Sequence, residues 1–371
     1  MARSRRSGSP NRGPPKARKA PLTNSVAVLS SGIDSLYLSF RGQANSPVLD
    51  ALRRLKAEAH ETGQPQVLQL PGAAKSVLQP SGWGRYGYWL RCDGFDAFLG
   101  SGSGLPPVYA RLLSSFIHEV GPTSALAEVQ LFVNGPLLAE VKEVRCSRVD
   151  IYADFQGWVP RSDDYQCFVV RSRKNTWHTA VHHDGRSFTG FTFGRDAMVA
   201  RLYDKSLEIT RSGKDWMREV WSDRLDPSQP VWRLEFQFRR QVLKECSLDN
   251  AEEVIERRQQ LWAYATRWLS LREPSPGSRR VRWPVADVWV QLAQSHVGAS
   301  QSPLIRKRIK KHDESVLVRG LAGYTSSLAA LTGISDLDVT MAVSRRRLAS
   351  YMNSTGRDFR DMVLAKRERS L

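Results

Sequence analysis

Apolar and polar positions alternate with a period of two through several short stretches of this chain, and follow a helical spacing in others. Residues Ile33–Phe40 read as a strand. From Pro47 to about Glu61, Val48, Leu49, Leu52 and Leu55 fall on one helical face, with a proline at the start. Residues 62–82 are irregular. Tyr86–Cys92, Ala97–Gly100 and Val108–Ile117 read as strands parted by glycine-rich turns, and 123–142 as a helix interrupted near Gly135-Pro136. Three further strands follow, Arg148–Phe155, Val199–Lys205 and Val231–Phe238, each leading into a turn or helix. Residues 248–272 form an amphipathic helix carrying Val254, Ile255, Leu261, Trp262, Ala265 and Leu269. Pro274-Ser-Pro-Gly277 is a linker. The region 283–371 is helical throughout. Strands and helices mix without a βαβ rhythm. That predicts an α+β fold with a mainly antiparallel sheet and flanking helices, followed by a smaller all-helical C-terminal region. The predicted domains are 23–273 and 283–371, with the boundary near 274–282. No internal repeat is visible.

Charge narrows the partner. The 371 residues hold 55 Lys+Arg against 37 Asp+Glu, a net charge of +18. A field of that sign is best neutralised by phosphates, so nucleic acid is the expected partner and anionic membrane the competing one. No apolar run approaches the ~20 residues of a membrane span. Residues 1–22 carry seven basic and no acidic side chains among Gly, Ser and Pro. They are expected to be disordered, either as a DNA-grasping arm or as a passive solvated tail. The amino terminus lacks the apolar core of a signal peptide. Cys92, Cys146, Cys167 and Cys246 are widely spaced, without metal-site spacing, as expected of reduced thiols in a cytoplasm.

The three later strands carry the chemistry. Alternate side chains of a strand share a face. Asp150, Tyr152 and Asp154 therefore line up on the first, Arg201, Tyr203 and Lys205 on the second, and Arg233, Glu235 and Gln237 on the third. The opposite faces are apolar. If the strands are neighbours, their polar faces gather carboxylates suited to a hard cation such as Mg²⁺ or Mn²⁺. Beside them stand a tyrosine able to attack phosphorus and cations able to hold its charge. The same pattern also describes a solvent-facing strand surface laced with cross-strand ion pairs.

The segments "SRVDIYADF" (147–155), "FTFGRDAMVARLYDKSLE" (191–208) and "VWRLEFQFRR" (231–240) resemble, in order and spacing, three motifs of the Rep_trans family of replication initiation factors. That family includes staphylococcal plasmid initiators, filamentous phage replication proteins and relaxases of some integrative conjugative elements. The resemblance spans about residues 30–250 and is specific between 147 and 245. It implies a bacterial cytoplasmic rolling-circle initiator that nicks one origin strand through a covalent phosphotyrosine and later rejoins it. A conjugative relaxase shares that chemistry. By this resemblance Tyr203 occupies the nicking position, Lys205 and Arg233 the conserved basic positions beside Arg201, and Asp150, Glu235 and Asp154 the positions of the acids that take Mg²⁺ or Mn²⁺. Origin DNA, double- and single-stranded, and a host helicase are the implied partners, and the family tends to dimerise. One departure stands out: where relatives carry a further glutamate on an upstream strand, this chain has Leu113.

Other signals point elsewhere. His178, His182 and His183 do not give the His-apolar-His pattern of a two-histidine metal strand. Tyr152, between two acids, suits packing better than nucleophilic attack. "GSGSG" (100–104) lacks the lysine of a phosphate loop, and most tryptophans, such as Trp262 and Trp268, sit at helical core spacing. Residues 326–352 resemble a helix-turn-helix whose second helix carries Arg345, Arg346 and Arg347. These, with Arg306, Lys307, Arg308, Lys310 and Lys311, are the expected DNA-contacting side chains. An ordinary helical bundle with a basic face is the alternative. A non-catalytic DNA-binding replication accessory protein is the rival to an enzyme. The two differ in whether Asp150, Glu235 and Tyr203 converge.

Overall fold

The computed structural model describes residues 25–70, 76–100, 104–171, 179–296, 304–306 and 314–368. The basic segments 1–22 and 307–311 therefore lie outside the described residues, as does His178. The chain divides into two units, Met1–Arg306 and Lys307–Leu371.

The first unit is built on two long strands, β1 (Ala27–Ala44) and later β7 (Leu138–Gln156). Between them come the helix α1 (Ser46–Thr62), the strands β2 (Gln66–Leu68), β3 (Ser76–Leu78), β4 (Tyr88–Arg91), β5 (Phe95–Leu99) and β6 (Val108–Leu112), and the helices α2 (Ser114–Val120) and α3 (Pro122–Val133). After β7 follow β8 (Phe168–Val170), the hairpin β9 (Thr179–Asp184) and β10 (Ser187–Arg195), β11 (Met198–Asp204), the helices α4 (Lys205–Ser212) and α5 (Trp216–Trp221), and β12 (Trp232–Arg239). The helices α6 (Arg240–Glu245), α7 (Ala251–Glu256) and α8 (Arg258–Trp268), the short strand β13 (Leu269–Leu271) and α9 (Asp287–Ala293) complete the unit. Eleven strands form one sheet in the order β2-β3-β4-β5-β6-β1-β7-β12-β11-β10-β9, and β13 pairs with β8. Each pairing between these strands is antiparallel. The α+β fold class expected from the pattern is the one observed.

One sheet face is the core. Leu36, Leu38 and Phe40 of β1, Val149 and Ile151 of β7, and Leu234, Phe236 and Phe238 of β12 are buried there with Val254, Leu261 and Trp262 of α7 and α8. Phe236 meets Trp262 edge to face at 5.2 Å. Each such side chain contributes about 1.5–3 kcal/mol by leaving water. The other face meets α2, α4 and α5. There Leu29, Ile209, Met217, Trp221 and Val231 form a second, smaller cluster over one end of the polar strand positions.

Several boundaries differ from the sequence pattern. Residues 114–117 open α2 rather than extending β6, and 138–142 begin β7 rather than closing a helix. The stretch 248–272 breaks into α7, α8 and β13, because residues 269–271 bond to β8. The hairpin β9–β10 was not anticipated. Residues 283–296 and 304–306 belong to the first unit. Trp262 Nε1 donates to Leu292 O and Trp289 Nε1 to Thr266 O, both at 3.0 Å, which ties α9 to α8.

The second unit consists, among the described residues, of α10 (Glu314–Thr332), α11 (Leu337–Thr355) and α12 (Phe359–Glu368). Gly333, at φ 69°, turns the chain out of α10, and the Asp336 carboxylate caps α11 by accepting from Val339 N at 2.9 Å. Among the described residues no helix is long and apolar enough to cross a membrane.

Candidate active site

The three motif strands are adjacent, in the order β7-β12-β11. Their register places Asp154 opposite Arg233, Tyr152 opposite Glu235 and Asp150 opposite Gln237. Across the next ladder Glu235 faces Arg201 and Arg233 faces Tyr203. Directly paired residues of antiparallel strands lie on one face. The polar positions therefore meet, and they are not a solvated surface. Asp150, Asp154, Arg233, Glu235, Gln237 and Lys205 are all buried. Buried charges persist only when paired, and here each has a partner.

One arginine organises the covered end. Arg233, fully buried, donates from Nε to Asp154 Oδ1 at 2.6 Å and from Nη2 to Asp154 Oδ2 at 2.8 Å, while its Nη1 reaches Asp34. Ser30 and Trp221 also donate to Asp154 Oδ2, at 3.1 and 2.9 Å. The Arg233 guanidinium lies 3.9 Å above the Tyr152 ring, whose hydroxyl is bonded to His118 Nε2 at 2.6 Å. Tyr152 is thereby a packed element of the wall, as its place between two acids suggested. Towards the open end, Arg201 donates to Glu235 Oε1 at 2.8 Å and to Gln237 Oε1 at 3.0 Å. Arg148 holds Asp150 through two hydrogen bonds, with Ser35 Oγ adding a third at 3.1 Å. The buried Nε2 of Gln237 has no partner among the described residues, which leaves a spare donor inside the site.

Tyr203 is half-buried between these groups, and its hydroxyl donates to Glu235 Oε2 at 3.1 Å. Burial and the Glu235 charge push the phenol well above its ordinary pKa, against the opposing pull of Arg233. Glu235 itself is pushed up to about 7, by burial first and then by the neighbouring Asp34 and Asp150 carboxylates. Burial also raises Asp150, despite Arg148. Burial would raise Asp34 too, but Arg233, Lys205 and the Ser114 hydroxyl hold it below the usual carboxylate range. Lys205 is not a strand residue: it opens α4, capped by Asp204, which accepts from Leu207 N at 3.0 Å. It remains at the site, its Nζ 5.9 Å from the Tyr203 ring and 2.5 Å from Glu208. Burial lowers its pKa, and Arg233 adds to that.

The expectation that Asp150, Asp154 and Glu235 share one cation is not met by this arrangement. Each acid is bonded to a different arginine, Arg148, Arg233 and Arg201 respectively. Both Asp154 oxygens are taken up by Arg233, Ser30 and Trp221. Among the described residues no group of three or more His, Cys, Asp and Glu is arranged to hold a metal ion.

Asp34 is the acid that the pattern missed. In an unbroken β1 it would share the apolar face with Leu36, Leu38 and Phe40. A register shift in the β1–β7 ladder between Ile33 and Ser35 turns it to the polar side. An aspartate in phase with three large apolar residues was the available signal. Leu113, by contrast, caps α2 and is not on a strand. Gly190 is a second missed residue. It pairs with Tyr203 at φ 155°, and a Cβ there would stand 2.4 Å from Leu202 O and 2.9 Å from Tyr203 Cα. Of the expected DNA-contacting residues, Arg306 is paired with Glu245 and mostly buried. Lys307, Arg308, Lys310 and Lys311 lie outside the described residues. Arg345, Arg346 and Arg347 are exposed on α11.

No family model matches the chain, and no curated protein matches it. Among solved structures, a rolling circle replication initiator protein from Geobacillus stearothermophilus aligns with a TM-score of 0.41 and 15% identity. The alignment covers 76% of this chain and 100% of that one.

Proposed function

We propose that this chain is a DNA strand nickase of the rolling-circle type, which starts replication of a mobile element by attacking the backbone with Tyr203. The observation that carries this reading is the 3.1 Å hydrogen bond from the Tyr203 hydroxyl to Glu235, between Arg201 and Arg233. A phenol that keeps its proton is a poor nucleophile, and burial holds this proton tightly. What such a group needs is a base within hydrogen-bond reach whose affinity for protons is matched to neutral pH. Glu235, at about 7, meets both conditions.

In the proposed step the Tyr203 oxygen bonds to phosphorus, a P–O bond to deoxyribose breaks, and the phenolic proton passes to Glu235. A proton returns to the leaving deoxyribose oxygen. Arg201, partly exposed at the open end, offsets charge that builds on the non-bridging oxygens, with the spare Gln237 amide beside it, while the fully buried Arg233 acts only through its field. One phosphodiester replaces another, so the reverse reaction reseals the strand without ATP. The three motif segments favour an origin-directed enzyme over a general nuclease. The same site serves a conjugative relaxase.

The test uses supercoiled DNA of the element that encodes the chain, incubated with Mg²⁺ or Mn²⁺ and, in parallel, with EDTA. The expected products are a nicked circle and a covalent protein–DNA adduct, mapped to Tyr203 by peptide mass spectrometry. Tyr203→Phe is expected to lose the adduct and to keep DNA affinity within about twofold, since only the hydroxyl is removed. Wild-type nicking by the Phe variant sinks the reading. Loss of cleavage in EDTA adds a cation to the requirements of the reaction.

A further inference from the structure

The polar face that holds the site continues across the sheet beyond β7. Tyr37 of β1 pairs with Arg148 of β7 on one side and Arg111 of β6 on the other. Tyr109 of β6 pairs with Phe98 of β5, which in turn pairs with Trp89 of β4. This face is not the core: Leu36, Leu38, Ala97, Leu99, Val108 and Ala110 of the same strands are buried on the other side. Yet its rings are stacked. Trp83, on the turn before β4, lies 4.4 Å from Phe98 with 24° between the planes, and 5.9 Å from Tyr109 at 15°. Tyr86 stacks on Tyr109 at 5.8 Å. Trp83 keeps 36% of its surface exposed, so one large aromatic face is left open at the end of a preformed stack.

The charge around these rings is one-sided. Asp96 is taken up by Arg111 and Trp89, and Glu143 by Arg145. Arg41, Arg85 and Arg91 are exposed and have no ion pair among the described residues. Arg148 joins this face to the site: it holds Asp150 and lies 4.7 Å over the Tyr37 ring.

We propose that this aromatic and arginine-lined face binds single-stranded DNA and leads it towards Tyr203. Bases stack on Trp83, phosphates meet Arg41, Arg85 and Arg91, and the strand passes Arg148 into the site. A single strand is the occupant that fits, because only unpaired bases expose ring faces for stacking, while its phosphates match the unpaired arginines. From β11 to β6 is four strand spacings, ~19 Å at ~4.8 Å each, and along β1 the level of Tyr203, at Ser30, is nine residues from the level of Tyr109, at Ser39, ~30 Å at ~3.3 Å each, so the strand runs a diagonal of ~35 Å over this face. The inference rests on the nicking reading only for the direction in which the strand leads.

Binding is measured on the full chain carrying Tyr203→Phe, so that covalent capture does not contribute. The probe is a fluorescent oligothymidylate of about twelve residues, followed by anisotropy. Adding Trp83→Ala is expected to weaken binding roughly 5- to 150-fold, the range for one lost stacking ring, with Trp83→Phe restoring most of it. Arg41→Ala and Arg85→Ala are each expected to flatten the salt dependence by about 0.7 in log K against log salt. A blunt duplex of the same length keeps its affinity for the Trp83 variant. Unchanged oligonucleotide binding in Trp83→Ala, or an equal loss for duplex, overturns the proposal. If Trp83→Ala binds normally while the wild type still forms the Tyr203 adduct, the platform alone fails. If ring-dependent binding is found but Tyr203→Phe nicks fully, the nucleophile assignment alone fails.

Discussion

Replacing Glu235 by Gln tests the proton-accepting base without needing a DNA substrate. In the folded chain Glu235 keeps its proton up to about pH 7, against an ordinary value of 4.5. Between those values the folded state binds more proton than the unfolded one, so stability falls as pH rises through the window. The gap, at ~1.4 kcal/mol per pH unit, amounts to about 3 kcal/mol at pH 9, a cost absent at pH 4. The carboxylate is nearly sealed from water, at 8% exposure, so solvent screening removes little of this. Glu235→Gln keeps the shape and an oxygen for the Tyr203 hydroxyl but does not titrate. Exchange of the neutral carboxyl for an amide shifts its stability by an amount independent of pH. The pH-dependent part is the signal: relative to wild type, the variant is expected to gain about 3 kcal/mol between pH 4 and pH 9. All eleven tryptophans precede residue 307, so urea unfolding followed by their fluorescence reports the first unit alone. The series is run with EDTA, so that no cation shares the carboxylate. A stability difference that stays constant from pH 4 to pH 9 would mean that Glu235 titrates normally, and would refute the case for it as the base.

Three other outcomes follow from the same geometry. His296 is buried, bonded through Nε2 to Tyr152 O at 3.0 Å, and burial pushes it down to about 4. Its stabilisation is present above pH 6.5 and is lost as pH falls, by up to about 3 kcal/mol, so adding His296→Asn to Glu235→Gln should flatten the acid limb of urea midpoints against pH. That slope opposes the Glu235 slope between about pH 4.5 and 6.5, so in this range the wild type should be flatter than Glu235→Gln. Asp154→Asn removes the anion that takes two of the three Arg233 donors and leaves only Asp34 facing the buried guanidinium, which should cost up to about 3–5 kcal/mol in urea unfolding, a near-neutral result contradicting the burial of the pair. Gly190→Ala should slow adduct formation about 10- to 100-fold while circular dichroism stays unchanged, because the new methyl presses on the strand segment carrying Tyr203; wild-type rates would show that the strand yields.

The alternation of side chains along a strand is local, and it sufficed to sort the site residues. Asp150, Tyr152 and Asp154, then Arg201 and Tyr203, then Arg233, Glu235 and Gln237, share faces because a two-residue repeat depends on nothing outside the strand. The α+β class followed from the same reading. Strand order is non-local, and only the folded chain decided that β12 lies between β7 and β11, which brings Glu235 against Tyr203. A shift in the β1–β7 pairing, invisible in a single strand, turned Asp34 into the site. Lys205 left the strand for a helix because Asp204 capped it, and 269–271 left a helix because β8 offered a ladder. Whether the polar face met water or protein also lay beyond the pattern. That was settled by α2, α4 and α5 closing over one end of it, and by arginines claiming the acids one by one. Burial is a property of what packs on a residue, and what packs there comes from elsewhere in the chain.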